Sequence, residues 1–115
     1  MIDGWITQLR KGLVEYCVLT VLRGGESYGY EIVQALRRIE ALAVSESTVY
    51  PVLSRLREEQ FLKVRDVPSP EGPPRRYFSL TAAGRVRLAA MDAYWGQLGL
   101  ALRALQANPS TRNGT

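Results

Sequence analysis

The chain has 115 residues, a formal net charge of +4 and a hydrophobic fraction of 46%, which suits one ordinary globular domain and excludes wholesale disorder. It contains no histidine and a single cysteine, Cys17, so Ser-His-Asp and Cys-His catalysis, a multi-residue His/Cys metal site and a disulfide framework are all excluded within one chain. The positive balance suits a polyanionic partner without specifying one.

The N-terminal segment MIDGWITQLRKG lacks the basic and apolar regions of a secretion signal, and no apolar run approaches membrane-spanning length. A soluble, cytoplasmic protein is expected. From Trp5 to Leu22, apolar residues such as Ile6, Leu9, Leu13 and Cys17 recur at three- and four-residue steps, which predicts a helix stopped at Gly24-Gly25. Cys17 reads as a small buried hydrophobe. Ser27 then stands where an N-cap belongs, and a second helix is expected over residues 28–39, with Ile32, Val33 and Leu36 inward and Glu31 in its first turn.

A third helix carries Val49, Val52, Leu53 and Leu56 inward. Its outward face is small and hydroxyl-rich: Ser47, Pro51 and Ser54 lie opposite Val49, with Thr48 and Arg55 on one flank and Tyr50 on the other. A Ser47 cap would leave Pro51 at the fourth helical position, close to the end whose N–H groups are free anyway. A Ser45 cap would set it two residues deeper and strain the turn. Hydroxyls and free N–H groups at a helix start suit phosphate oxygens, with Arg55 reaching further; a capped, solvated face accounts for the same residues.

After Gln60 the period changes to two. Leu62 and Val64 alternate with Lys63 and Arg65, Arg76, Phe78 and Leu80 alternate with Arg75, Tyr77 and Ser79, and the Pro/Gly-rich segment 68–74 between them predicts a loop. Residues 45–88 hold eight Lys/Arg against five Asp/Glu, a basic hairpin fit for phosphate contacts, with Lys63, Arg75 and Arg76 as candidates. Arg76 also has a structural reading through its parity with Phe78. Thr81 is placed to cap a last helix over 82–107, roughly 39 Å long.

The expected fold is therefore mainly α with a two-stranded β-wing: a winged helix-turn-helix over 1–81, a long C-terminal dimerisation helix over 82–107 and a disordered tail over 108–115. The last helix is apolar on two sides. Leu88, Met91, Trp95, Leu98, Leu102 and Leu105 form one stripe, and small residues through Ala93 and Gly96 form another. Two apolar sides need two partners, the second most simply this helix or the first helix of another copy.

Three runs, YGYEI at 28–32, STVYPVLSRL at 47–56 and PRRYFSLTAAGR at 74–85, are together similar to the PadR-like transcriptional regulators. The resemblance implies a homodimeric winged-helix protein that binds double-stranded operator DNA, usually as a repressor, and releases it on a signal. The two-fold pairing of the last helix makes a palindromic operator the expectation, and no cofactor and no membrane are expected. Carried over, the resemblance puts Ser47, Thr48, Tyr50 and Arg55 at the DNA and Arg75 and Arg76 in or beside the wing; Ser54 and Lys63 complete the candidate surface. In some short members a tryptophan at a place like Trp95 sandwiches planar aromatic compounds across the dimer, so Tyr94, Trp95, Met91, Leu98 and Trp5 become candidate effector contacts. Trp95 as a plain interface anchor is equally consistent. From a different class, a winged-helix module binding an acidic protein partner remains as an alternative function.

Overall fold

The computed structural model describes residues 4–107; the expected tail falls outside them. In chain order the elements are α1 (Gly4–Leu22), β1 (Ser27–Tyr28), α2 (Gly29–Arg37), a single 3-10 turn (Glu40–Leu42), α3 (Glu46–Glu58), β2 (Leu62–Ser69), β3 (Gly72–Leu80) and α4 (Ala82–Ala107). The fold is mainly helical. The antiparallel sheet has the order β1-β3-β2, so the expected hairpin gains a short third strand in which Ser27 pairs with Phe78 and Tyr28 with Tyr77.

That pairing moves the start of the second helix. Ser27 is taken up by the sheet, and Tyr28 becomes the residue before α2, its N–H donating to Glu31 Oε1 at 3.1 Å. The third helix also starts earlier than the proline suggested. Ser45 precedes it, and its carbonyl accepts from the N–H groups of Thr48 and Val49. Pro51 therefore lies at the sixth helical position. Its missing N–H withdraws a donor from the carbonyl of Ser47, and both residues are exposed, so water replaces the bond.

The wing departs most from expectation. The strands run on through Pro68, Pro73 and Pro74, leaving only Pro70 and Glu71 as the turn, where a loop over 68–74 was expected. The prolines are tolerated because the outer hairpin has only two strands and because the register shifts by one between Val67 and Ser69, a bulge that removes the need for ladder donors there.

One core holds the pieces together. Val14, Val18, Leu19 and Leu22 of α1 meet Ile32, Val33 and Leu36 of α2, Val49, Leu53 and Leu56 of α3, and Leu62, Phe78 and Leu80 of the sheet. Two local devices fix α3 within it. Arg10 of α1 donates to the carbonyls of Glu40, Ala41 and Ala43 at 2.9, 3.1 and 3.2 Å, pinning the turn that leads into α3. At the other end Gln60 adopts φ +66°, and the N–H groups of Phe61 and Gln60 bond the carbonyls of Leu56 and Arg57, closing α3 with a Schellman motif.

Thr81 caps α4 as its position predicts: its hydroxyl accepts from the Gly84 N–H at 3.0 Å and donates to the Gln60 carbonyl at 2.7 Å. Gly84 lies so close to Phe61 that a Cβ would collide with that residue's backbone carbonyl. Leu88, expected at a dimer interface, instead closes the core of its own domain at 3% exposure. It stands one turn beyond Gly84, where α4 is pressed against the sheet. The far half of the helix runs clear of the domain, with Leu102 and Leu105 at 49% and 64% exposure.

Candidate nucleic-acid interface

The residues of α3 divide into two flanks around the buried line Val49, Leu53 and Leu56. On one flank, Tyr50, Ser54 and Arg57 face the wing. Tyr50 lays its ring against Gly29, the first residue of α2, where a side chain would occupy the space of the ring; this is why glycine stands between Tyr28 and Tyr30. Burial, with Glu46 nearby, pushes the Tyr50 hydroxyl up, so it stays a neutral donor.

Between this flank and β3 lies an open groove of about 310 Å³ walled by Tyr28, Tyr30, Tyr50, Ser54, Arg75 and Arg76. It continues past Ser54 to Arg57 and Glu58. The Arg75 guanidinium sits 4.6 Å from the centre of the Tyr28 ring, and Arg76 is 3.9 Å from Asp66 across the hairpin. Both arginines are exposed, so these contacts orient them and leave their charge facing outward.

The opposite flank is built differently. Arg55 donates to Glu15 of α1 at 2.7 Å and to Glu59 at 2.9 Å. Glu15 also accepts from Arg87 of α4, whose guanidinium lies 4.6 Å from the centre of the Phe61 ring. Burial raises the Glu15 carboxyl, but the bonds and charges of Arg87 and Arg55 outweigh it and hold the group below the usual carboxylate range.

Of the candidate DNA contacts, the structure thus gathers Tyr50, Ser54, Arg75 and Arg76 around one groove. Ser47 is exposed at the start of α3 and Thr48 is half-buried; their hydroxyls cluster about Ser45, at 2.8 and 3.3 Å. Lys63 pairs with Ser79 at the base of the hairpin, outside the groove lining. Arg55 is turned away, toward α1. Sequence reasoning passed over Tyr28, Tyr30 and Arg57. Arg57 was legible, since it follows Tyr50 by seven residues, about two helical turns; the tyrosines depended on β1, which two residues cannot announce.

The aromatic candidates separate as well. Trp95 stacks on Tyr16 with ring centres 5.8 Å apart and planes 20° from parallel. Tyr16 in turn donates to Asp92 at 2.5 Å, and Asp92 also accepts from Arg23. These rings wall an apolar cavity of about 340 Å³ shared with Leu13, Cys17, Val21, Leu36 and Ile39. Burial pushes the Cys17 thiol up, which keeps it unreactive. Met91 packs against the core and Leu98 is half-buried, whereas Tyr94 and Trp5 are 59% and 65% exposed; none of these four lines the cavity. Among the described residues no acidic, His or Cys cluster suits a metal ion, and no helix is long and apolar enough to cross a membrane.

Three helices with a basic antiparallel hairpin beside the third define a winged helix-turn-helix protein. A family model described as the transcriptional regulator PadR-like family matches residues 18–90, and the chain belongs to that family. It is similar to a PadR family transcriptional regulator from Eggerthella lenta, at 27% identity and TM-score 0.82 over 91% of each chain. A Streptococcus transcriptional regulator shares 37% identity over 86% of this chain and 97% of that one, with TM-score 0.76. PadR from Bacillus subtilis, solved in complex with operator DNA, matches at 26% identity and TM-score 0.64 over 69% of this chain and 46% of that one. No curated protein matches the chain. These relatives are transcription regulators, not enzymes.

Proposed function

We propose that the protein is a homodimeric repressor that binds a palindromic DNA operator and releases it when a planar aromatic molecule binds. The observation that carries this reading is the groove in which the Tyr50, Ser54 and Arg57 flank of α3 and the arginines of the wing face the same side. An α3 laid in the major groove would present Ser47, Tyr50 and Ser54 to phosphates and base edges near its start, while Arg57, Arg75 and Arg76 neutralise the flanking backbone. The operator complex of Bacillus subtilis PadR supports the same use of the fold.

Dimerisation is supported by the far half of α4, where the described residues leave Leu102 and Leu105 exposed. Leu98, Leu102 and Leu105 follow four- and three-residue steps, and a second copy would cover them and supply the two-fold axis of a palindrome. The effector reading rests on the cavity that the stacked Trp95 and Tyr16 rings help to wall, apolar and of a size for one flat ring system.

The test is selection from a pool of random duplexes. A repeated half-site in inverted orientation is the expected result. A pool that stays random, with binding only to an acidic protein partner, would contradict the reading and favour the interaction-module alternative.

A further inference from the structure

The ion pairs on the far flank of α3 have a connectivity that the proposed DNA surface does not use. Among the described residues, the only ion pairs linking α3 to α4 pass through one carboxylate, Glu15. Its side chain is 15% exposed, against 44% for Arg55 and 39% for Arg87. Glu15 is thus the sheltered centre of a three-helix contact, with Arg55 approaching from α3 and Arg87 from α4. The neighbouring residue on α1 is Tyr16, which stacks on Trp95 of α4 and bonds Asp92 of α4. The attitude of α4 toward α1 and the hold on Arg55 therefore meet at two adjacent residues.

Electrostatics gives the coupling a sign. Arg87 shares the charge of Glu15, so while Arg87 is in place the carboxylate grips Arg55 less strongly. If α4 moves off, Glu15 is left to Arg55 alone. With Glu59 on its other amino group, Arg55 is then held more firmly against the protein.

We infer that Glu15 is a positioning residue that sets how far Arg55 of the recognition helix is available to a phosphate, and that Arg87 of α4 tunes it. This deepens the proposed function and rests on its DNA-binding reading. Arg55 lies beside the outward face of α3 and is partly exposed, so a released guanidinium has a short path to the DNA backbone. In this scheme Arg87, which stands on α4 and away from the groove, weakens DNA binding when lost, because its loss tightens the grip on Arg55.

The test uses the full chain and the duplex it selects, with affinity measured against salt. Glu15→Gln is expected to tighten binding about three- to ten-fold and to steepen the dependence of log K on log salt by about 0.9, one added phosphate contact. Arg87→Gln is expected to weaken binding by less than about twofold, and by no more than Arg55→Gln does, since it acts only through Arg55. Each effect should vanish when its relay is cut: Glu15→Gln does nothing in an Arg55→Gln background, and Arg87→Gln does nothing in a Glu15→Gln background. A merely structural Glu15 would instead weaken binding in both single variants. Effects that persist in those backgrounds would be long-range charge and would overturn the inference.

A second readout needs no DNA. In melting experiments the combined Arg55→Gln and Arg87→Gln variant should lose more than the sum of the two singles, because each arginine covers for the other at Glu15, and that excess should disappear with Glu15→Gln. Additive losses would overturn the coupling. A wild-type protein that binds no duplex, yet shows the excess, would sink the DNA reading and leave the Glu15 link standing.

Discussion

The two flanks of α3 carry one arginine each, two residues apart, yet the fold uses them in opposite ways. Arg57, with Tyr50 and Ser54, faces the wing across an open groove. Arg55 is bound to Glu15 and Glu59. Among the described residues, the same residue type thus has no ion-pair partner on one side of a helix and is a tie to α1 on the other. Formal charge in a sequence counts both equally, whereas the phosphate surface is set by what each charge already touches.

The largest expected effect removes the platform both flanks share. Gly84→Ala would drive a methyl into the Phe61 carbonyl, and the backbone must shift to admit it. A stability loss of about 3 kcal/mol in urea denaturation is expected; a loss below 1 kcal/mol would show that α4 is not locked against the end of α3.

The contrast itself is read in DNA affinity. Arg57→Ala and Arg75→Ala should each weaken binding about tenfold, or about 1.4 kcal/mol. Arg55→Ala should cost less than about threefold, its charge being already engaged. Equal losses for all three would erase the distinction between the flanks.

Acid should loosen the tied flank first. Because the folded Glu15 carboxyl lies below its ordinary value of 4.5, its contribution is present above that value and is lost as pH falls through the lowered one. Denaturation midpoints should therefore drop more steeply below about pH 4.5 in the wild type than in Glu15→Gln; identical acid profiles would show that the Arg55 side is no tighter than the free side.

The smallest effect concerns the cap where the two flanks end. Gln60 holds a left-handed conformation that glycine adopts without strain. Gln60→Gly should stabilise the protein by about 0.5 kcal/mol and leave both arginine effects unchanged.

Much of this was legible in the sequence. The cap at Thr81 fixed the start of α4, and the alternation of Leu62 and Val64 and of Phe78 and Leu80 marked the inner face of the wing, because capping and strand parity are local properties. What was not legible depended on partners distant in the chain. Ser27 is drawn into the sheet by Phe78, the prolines of the wing are excused by an outer hairpin with no third strand, and Arg55 is claimed by a glutamate 40 positions earlier. The start of α3 at Glu46 differs from the expected Ser47 cap for a related reason: a proline in the second turn costs little when the residue whose carbonyl it deprives is exposed.

The most direct measurement is a fluorescence-anisotropy titration of the selected duplex across a range of salt concentrations with the wild type, Arg57→Ala, Arg75→Ala and Arg55→Ala. The account predicts a salt slope reduced by about 0.9 for Arg57 and Arg75 and nearly unchanged for Arg55. A slope that falls for Arg55 and holds for the other two would place the DNA on the wrong side of α3 and contradict the account.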